Sequence, residues 1–337
     1  MENKQFEIPI ALFLFKRSET VMRILNRIRE VKPRKIYLIG DGPRNIDEEI
    51  IIKEARYKIE KAIDWHCEII KNFADKNRGV YENIAGGAKW VFEREESCIF
   101  LEDDNLPDVS FFEYCKELLE KYKNEDRILW ICGTNYLEDY KTQNDESYVF
   151  TQHLLPCGWA SWGNKFNRYY DGDLQSIASK EGKRKLKTKY RNKALYKQQL
   201  NSANYELYRK QKGLKYASWD FQMAISIRNN DLVGISPQRN LIENIGVDGL
   251  STHGGNSFAN EMTRRFCGIK SYSLQFPLKH PKDIRIDPVY ENKVDRIILA
   301  PIKMRVKDWI ATRVKHLFGL SKYEKFTLQN IKGDRNG

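Results

Sequence analysis

The chain has 337 residues, 41% of them hydrophobic, and a formal net charge of +12. That supports one large domain, or a domain with an appendage, and excludes a membrane-spanning helix, because no apolar run approaches the required ~20 residues. The six cysteines form no CxxC pair and no regular spacing, which argues against a zinc site or a disulfide framework. Met1–Phe6 lacks a signal-peptide profile, so the expected setting is a reducing cytosol.

Ile8–Phe15 is an apolar run that reads as a buried first strand. Lys16-Arg17-Ser18 then leads into a helix with Val21, Ile24, Leu25, Ile28 and Val31 on one face, closed by Pro33. Lys35–Ile39 is a second strand ending in Gly40-Asp41-Gly42-Pro43. Residues 46–63 read as a helix, Cys67–Ile70 as a weak third strand and Ile84–Phe92 as a helix. Strands alternating with helices over the first 135 residues predict an α/β fold with a mostly parallel sheet. Neither GxxxxGK[ST] nor GxGxxG follows the first strand, so the usual phosphate cradles are missing.

The next strand, Ile99–Leu101, ends in three consecutive carboxylates, Glu102-Asp103-Asp104. A helical pattern follows, carried by Phe111, Phe112, Cys115, Leu118, Leu119 and Tyr122, with Asp108 as the expected N-cap. A buried strand delivering acids to its carboxyl end puts them where ligands bind in open α/β sheets. Adjacent carboxylates raise one another's pKa unless a cation sits among them. The competing reading of the triplet is a solvated turn.

Ile128–Gly133 is a further strand. In Leu155–Gly163, Trp159 and Trp162 flank small residues, which reads either as a core turn or as an aromatic wall on which a sugar ring stacks. Ser218–Ile227 opens a helix, and Leu232–Pro237 is a late strand. His253 lies in a Gly-rich loop.

The positive charge is concentrated. Residues 180–216 hold 13 Lys/Arg against two acids and residues 293–325 hold nine against three, leaving the remainder slightly acidic. Leu186, Tyr190, Leu195, Tyr196, Leu200, Tyr205 and Tyr208 place one or two exposed helices in a basic insertion at about 171–216. Pro301–Leu320 reads as an amphipathic helix, with Ile302, Val306, Trp309, Ile310, Val314, Leu317 and Phe318 on one face and Lys303, Lys307, Arg313 and Lys315 largely elsewhere. That pattern fits an interfacial anchor on the inner face of the cell membrane, or a terminal helix packed on its domain. The expected division is a domain over residues 1–290, insertion included, and a basic tail over 291–337.

Five segments, in order, resemble bacterial nucleotide-sugar glycosyltransferases of the GT-A fold. They are Ile39–Pro43, Asn77-Arg78-Gly79 with Asn83-Ile84, Leu101–Asp104, Gly158–Trp162, and Asn240–Gly246 continuing to Thr252-His253. The Glu-Asp-Asp also resembles that of N-acetylglucosaminyltransferase I. The resemblance spans roughly residues 8–255 and implies a Rossmann-like sheet and a metal-dependent, inverting transfer from a UDP-sugar. It places Asp41, Asn77, Arg78, Glu102, Asp103 and Trp159 at the donor, Asp104 and His253 on Mn²⁺ or Mg²⁺, and Asp220 as catalytic base. The acceptor expected from the basic segments is a lipid-linked or cell-surface glycan.

Two other readings remain. A nucleotidyltransferase needs a Gly-rich basic loop after the first strand, which Phe15–Glu19 is not. A non-catalytic binder of nucleic acid or acidic polysaccharide has the 180–216 segment in its favour, but leaves the acid triplet unexplained.

Overall fold

The computed structural model describes residues 5–247 and 257–324. Among the described residues, ten strands are formed: β1 (Ile10–Leu14), β2 (Lys35–Gly40), β3 (Glu68–Phe73), β4 (Ser97–Glu102), β5 (Asn105–Pro107), β6 (Ile128–Cys132), β7 (Tyr148–Thr151), β8 (Trp159–Trp162), β9 (Val233–Pro237) and β10 (Ile242–Asn244). The helices between and after them are α1 (Ser18–Val31), α2 (Ile46–Ala62), α3 (Gly87–Phe92), α4 (Ser110–Lys121), α5 (Gly163–Tyr169), α6 (Lys180–Thr188), α7 (Lys193–Gln211), α8 (Asp220–Asn229), α9 (Glu261–Phe266), α10 (Pro288–Ile298) and α11 (Ile302–Leu317).

Eight strands form one sheet in the order β3-β2-β1-β4-β8-β6-β9-β7, and β10 pairs with β5 in a small separate ribbon. Strands β1 to β4 run parallel, β8 runs antiparallel between β4 and β6, and β7 is antiparallel at the edge. This is an α/β fold with a mostly parallel central sheet flanked by helices, the arrangement expected of a Rossmann-like GT-A domain.

The apolar runs become strands because both sheet faces are covered. Alternate residues of β1 serve opposite cores. Ile10, Leu12 and Leu14 pack with α1 and α4, whereas Ala11 and Phe13 pack with α3, Trp159, Trp219 and Tyr290. Helix α1 buries Val21, Ile24, Leu25 and Ile28 and ends at Lys32, in left-handed conformation, just before Pro33. Helix α2 starts at Asn45, whose side chain accepts from Glu48 N.

Local differences from the sequence reading have physical reasons. The helix expected at Ile84 begins as a π-turn, Glu82–Gly86, before α3. The N-cap of α4 is Val109 rather than Asp108. Asp108 still serves that helix end, because its carboxylate accepts from Ser110 N and Oγ. The expected boundary at residue 290 falls inside α10. Tyr290, Glu291, Val294 and Asp295 are buried there, and Tyr290 hydroxyl is within hydrogen-bond distance of Ser236 Oγ and Asn135 Oδ1. The core therefore runs to Ile298, and the tail begins after it. The basic insertion also has a core of its own, in which Leu174, Ile177, Leu186 and Leu195 meet Ile225 of α8.

Candidate active site

Because β1 and β4 are parallel neighbours, the residues that follow them emerge side by side. Phe13 pairs with Glu102 in register, so Lys16 and Arg17 face the acid triplet. Arg17 Nη1 lies 2.9 Å from Asp104 Oδ2 and 3.4 Å from Asp103 Oδ1, and its Nη2 donates to Gly246 O at 3.1 Å. Asn105 is buried. It donates to Asp104 Oδ1 at 2.7 Å while its own oxygen accepts from Gly158 N at 2.8 Å. Thr20 Oγ1 donates to Asp103 O.

The close approach of the 246 region to Asp104 requires a glycine. A Cβ on Gly246 would fall 2.2 Å from Asp104 Oδ2. Gly158 is a second such position. It adopts φ +61°, and a Cβ there would meet Ile242 at 2.5 Å.

Burial raises the Glu102 carboxyl well above the usual range, and the charges of Asp104, Asp103 and Asp220 add to that, with Arg17 opposing. Asp103 is raised for the same first two reasons, burial and Asp104, against Arg17. The Arg17 charge therefore does not outweigh burial and mutual repulsion, and Glu102 and Asp103 are held toward their protonated forms.

These residues and their neighbours line a cleft of about 300 Å³ that also includes Phe15, Lys16, Asp41 and Arg44. Lys16 Nζ lies 2.9 Å from Glu48 Oε1, and Arg44 bonds the same carboxylate. Glu48 thus fixes two cations on the wall facing the acids. Among the described residues, no three His, Cys, Asp or Glu side chains form a ready-made metal cage. The donor set nevertheless fits Mg²⁺ or Mn²⁺, because such an ion bound with a diphosphate needs only one or two carboxylates and takes its remaining ligands from phosphate and water.

Asp41, at the end of β2, is saturated. Its oxygens accept from Gly42 N, Arg78 N, Asn77 Nδ2 and Gly79 N at 2.7–3.1 Å. It builds the loop that forms one wall of the cleft, rather than projecting free oxygens into it. Arg78 donates to Asn72 and Asn83. Its guanidinium is spent on the protein, and only Asn77 and Gly79 of this loop line the cleft.

Asp220 is the first residue of α8, and its Oδ1 accepts from Ser218 Oγ. It lines a second cavity of about 400 Å³ with Tyr136, Leu154, Gln198, Phe221 and Phe266. One stretch of chain contributes to both cavities, Tyr216 and Ala217 to the first and Asp220 and Phe221 to the second. The insertion holds that segment in place. Buried Glu206 accepts from Ala217 N at 2.7 Å, and Lys215 Nζ donates to Asn77 O at 2.7 Å.

The structure thus gathers Asp41, Asn77, Glu102, Asp103 and Asp104 around one cleft and sets Asp220 at its neighbour. Trp159 departs from expectation. It is 1% exposed, stacked between Phe100 and Trp130 with ring centroids 4.0 and 4.1 Å away. Both ring faces are taken, so it is a core residue and not a wall for a sugar. His253 lies outside the described residues. Sequence reasoning missed Lys16, Arg17, Arg44 and Asn105 as site residues. A basic pair directly after a first parallel strand was a signal for the first two. The other two needed tertiary pairing to be seen.

No family model matches the chain, and no curated protein matches it. Among solved structures, S. aureus TarS 1–349 is similar at 12% identity, over 52% of this chain and 52% of its own, with TM-score 0.33. UDP-glucose pyrophosphorylase complexed with UDP-glucose is 8% identical over 71% and 94%, with TM-score 0.36. HddC from Yersinia pseudotuberculosis is 10% identical over 51% and 87%, with TM-score 0.30. The chain spans about half the length of the TarS fragment. Likenesses this distant assign no activity, and the site must be read from its own geometry.

Proposed function

We propose that this chain transfers a sugar from a UDP-sugar to a hydroxyl of a glycan acceptor, with inversion at the anomeric carbon. One observation carries the reading. Neighbouring residues of one stretch, 216–217 and 220–221, line two different cavities; one combines carboxylates with cations, and the other has Asp220 as its one carboxylate among the described residues, at a helix start. The first suits a diphosphate, and the second suits an incoming hydroxyl.

Lys16, Arg17 and Arg44 draw the donor's diphosphate into the cleft, with Arg17 able to exchange carboxylate partners for phosphate oxygens. Asp104, oriented by Asn105 and kept close by Gly246, would hold Mn²⁺ or Mg²⁺ together with Asp103. Such an ion supplies charge stabilisation to the departing diphosphate. The Asn77–Gly79 loop, built on Asp41, walls the nucleotide end, and the uridine assignment follows the sequence resemblance of these segments. Asp220 takes the proton of the attacking hydroxyl from the acceptor side, which makes a single displacement with inversion the expected course.

Calorimetry tests the donor half. UDP, GDP and CDP are titrated with Mn²⁺ and then with EDTA, on wild type and Asp104→Ala. Metal-dependent UDP binding lost in the variant supports the reading, and absence of nucleotide binding overturns it. Release of UTP from UDP-glucose and pyrophosphate would replace glycosyl transfer with nucleotidyl transfer.

A further inference from the structure

The carboxyl-terminal helix α11 is covered on the wrong side for a helix that belongs to the domain core. None of its residues is buried. Ile302, Val306, Trp309, Ile310 and Leu317 recur at helical spacing on one face, and they are 70%, 50%, 61%, 50% and 85% exposed. The partly covered positions, Arg305, Thr312 and Lys315, lie on the other side. There, Lys315 Nζ donates to Lys322 O at 2.9 Å, and Tyr323 of the same returning segment packs on Tyr205 and Tyr208 of α7. What covers this helix covers its polar side, and its apolar strip faces outward.

The charges decide what such a strip fits. Arg313 stands within it and Lys303 at its edge, whereas the sequence pattern reads both as largely elsewhere; Arg313 sits over the Trp309 ring at 5.4 Å. The helix carries one acid, Asp308, on the far side. A second copy of the same face would bring cations against cations inside an apolar seam, which costs desolvation without a partner charge. An anionic bilayer has the opposite character. The apolar strip enters the acyl boundary, while Lys303, Lys307 and Arg313 extend to headgroup phosphates.

The position of α11 gives the contact a use. It follows α10 after a short link, and Gln198, which lines the Asp220 cavity, donates to Ile298 O and accepts from Ala300 N at that junction. The helix is therefore rooted beside the acceptor cavity.

We infer that α11 lies in the surface of an anionic lipid bilayer, apolar strip down, and that this holds the Asp220 cavity next to the membrane. The inference stands apart from the donor chemistry, because it rests on α11 and its junction with Gln198 and not on the acid cleft.

Flotation of the full chain on phosphatidylcholine vesicles with and without phosphatidylglycerol tests it. Wild type floats with the anionic vesicles and at least about tenfold less with phosphatidylcholine alone, given roughly fivefold in partitioning for each basic residue at the surface. Trp309→Ser/Ile310→Ser and Lys303→Glu/Arg313→Glu each lose binding at least about tenfold, with melting temperature and metal-dependent UDP binding unchanged. Brominated lipids quench indole emission of wild type and not the membrane-dependent part in Trp309→Phe. Failure of wild type to float on anionic vesicles overturns the inference, and so does flotation that Trp309→Ser/Ile310→Ser leaves intact. A wild-type dimer that this double variant splits, without flotation, assigns the face to a second copy and equally overturns it.

Discussion

Asp220 and Glu48 illustrate two ways a carboxylate serves this site. In the proposed reaction Asp220 takes a proton, and its side chain accepts from the neighbouring Ser218 hydroxyl. Asp220→Asn keeps the shape and removes the basicity. Turnover of a UDP-sugar should fall by ~10²–10⁴-fold, while calorimetric UDP affinity stays at the wild-type value. Near-normal turnover would make Asp220 a helix-end residue only. Glu48 acts instead as an anchor. Arg44 holds its carboxyl down to about 2 from an ordinary 4.5, against burial and with help from Lys16. A depressed carboxyl contributes stability that is complete above its ordinary value and is lost as the pH falls from 4.5 toward 2. Glu48→Gln should therefore be less stable than wild type at neutral pH, and the gap in urea midpoint should close across that acid window.

At the scale of elements, legibility followed length and burial. Strands β1, β2, β4 and β6 were readable because sheets covered on both faces need unbroken apolar runs. Strands β5 and β10 have three residues each, too few to show a period, and exist because Asn105–Pro107 finds Ile242–Asn244 across the fold. Of the site, the acids and Asp220 were readable as residue types at strand and helix ends. Of the cations, Lys16 and Arg17 had a signal in the basic pair after β1, whereas Arg44 joins the cleft through contacts with Glu48 and Phe15 that no motif announces. Strand β8 shows how an aromatic motif misleads: the same Trp159 suits a sugar wall or a sheet core, and only the rings above and below it decide. Trp159→Ala should cost about 3–5 kcal/mol in urea unfolding and leave UDP affinity per folded molecule unaltered. A selective loss of affinity would restore it to the donor site.

For the whole molecule, the tail should be separable from the domain. The core closes with α10, so ending the chain after Pro301 should shift the melting temperature by no more than about 4 °C; a larger fall would show that α11 contributes to the domain after all. The sheet itself is less divisible. Strand β8 is the seam between β4 and β6, yet it is encoded well after both. During synthesis, the half-sheet of β1 to β4 is complete while its Cys98–Phe100 margin still lacks a neighbour, and that neighbour leaves the ribosome about 60 residues later. In that interval the nascent chain offers a row of unpaired backbone donors and acceptors beside a highly apolar strand, the kind of margin that captures other chains. The vulnerable moment of this protein's biogenesis thus falls between residues 102 and 159, before its own Trp159–Trp162 can occupy the gap.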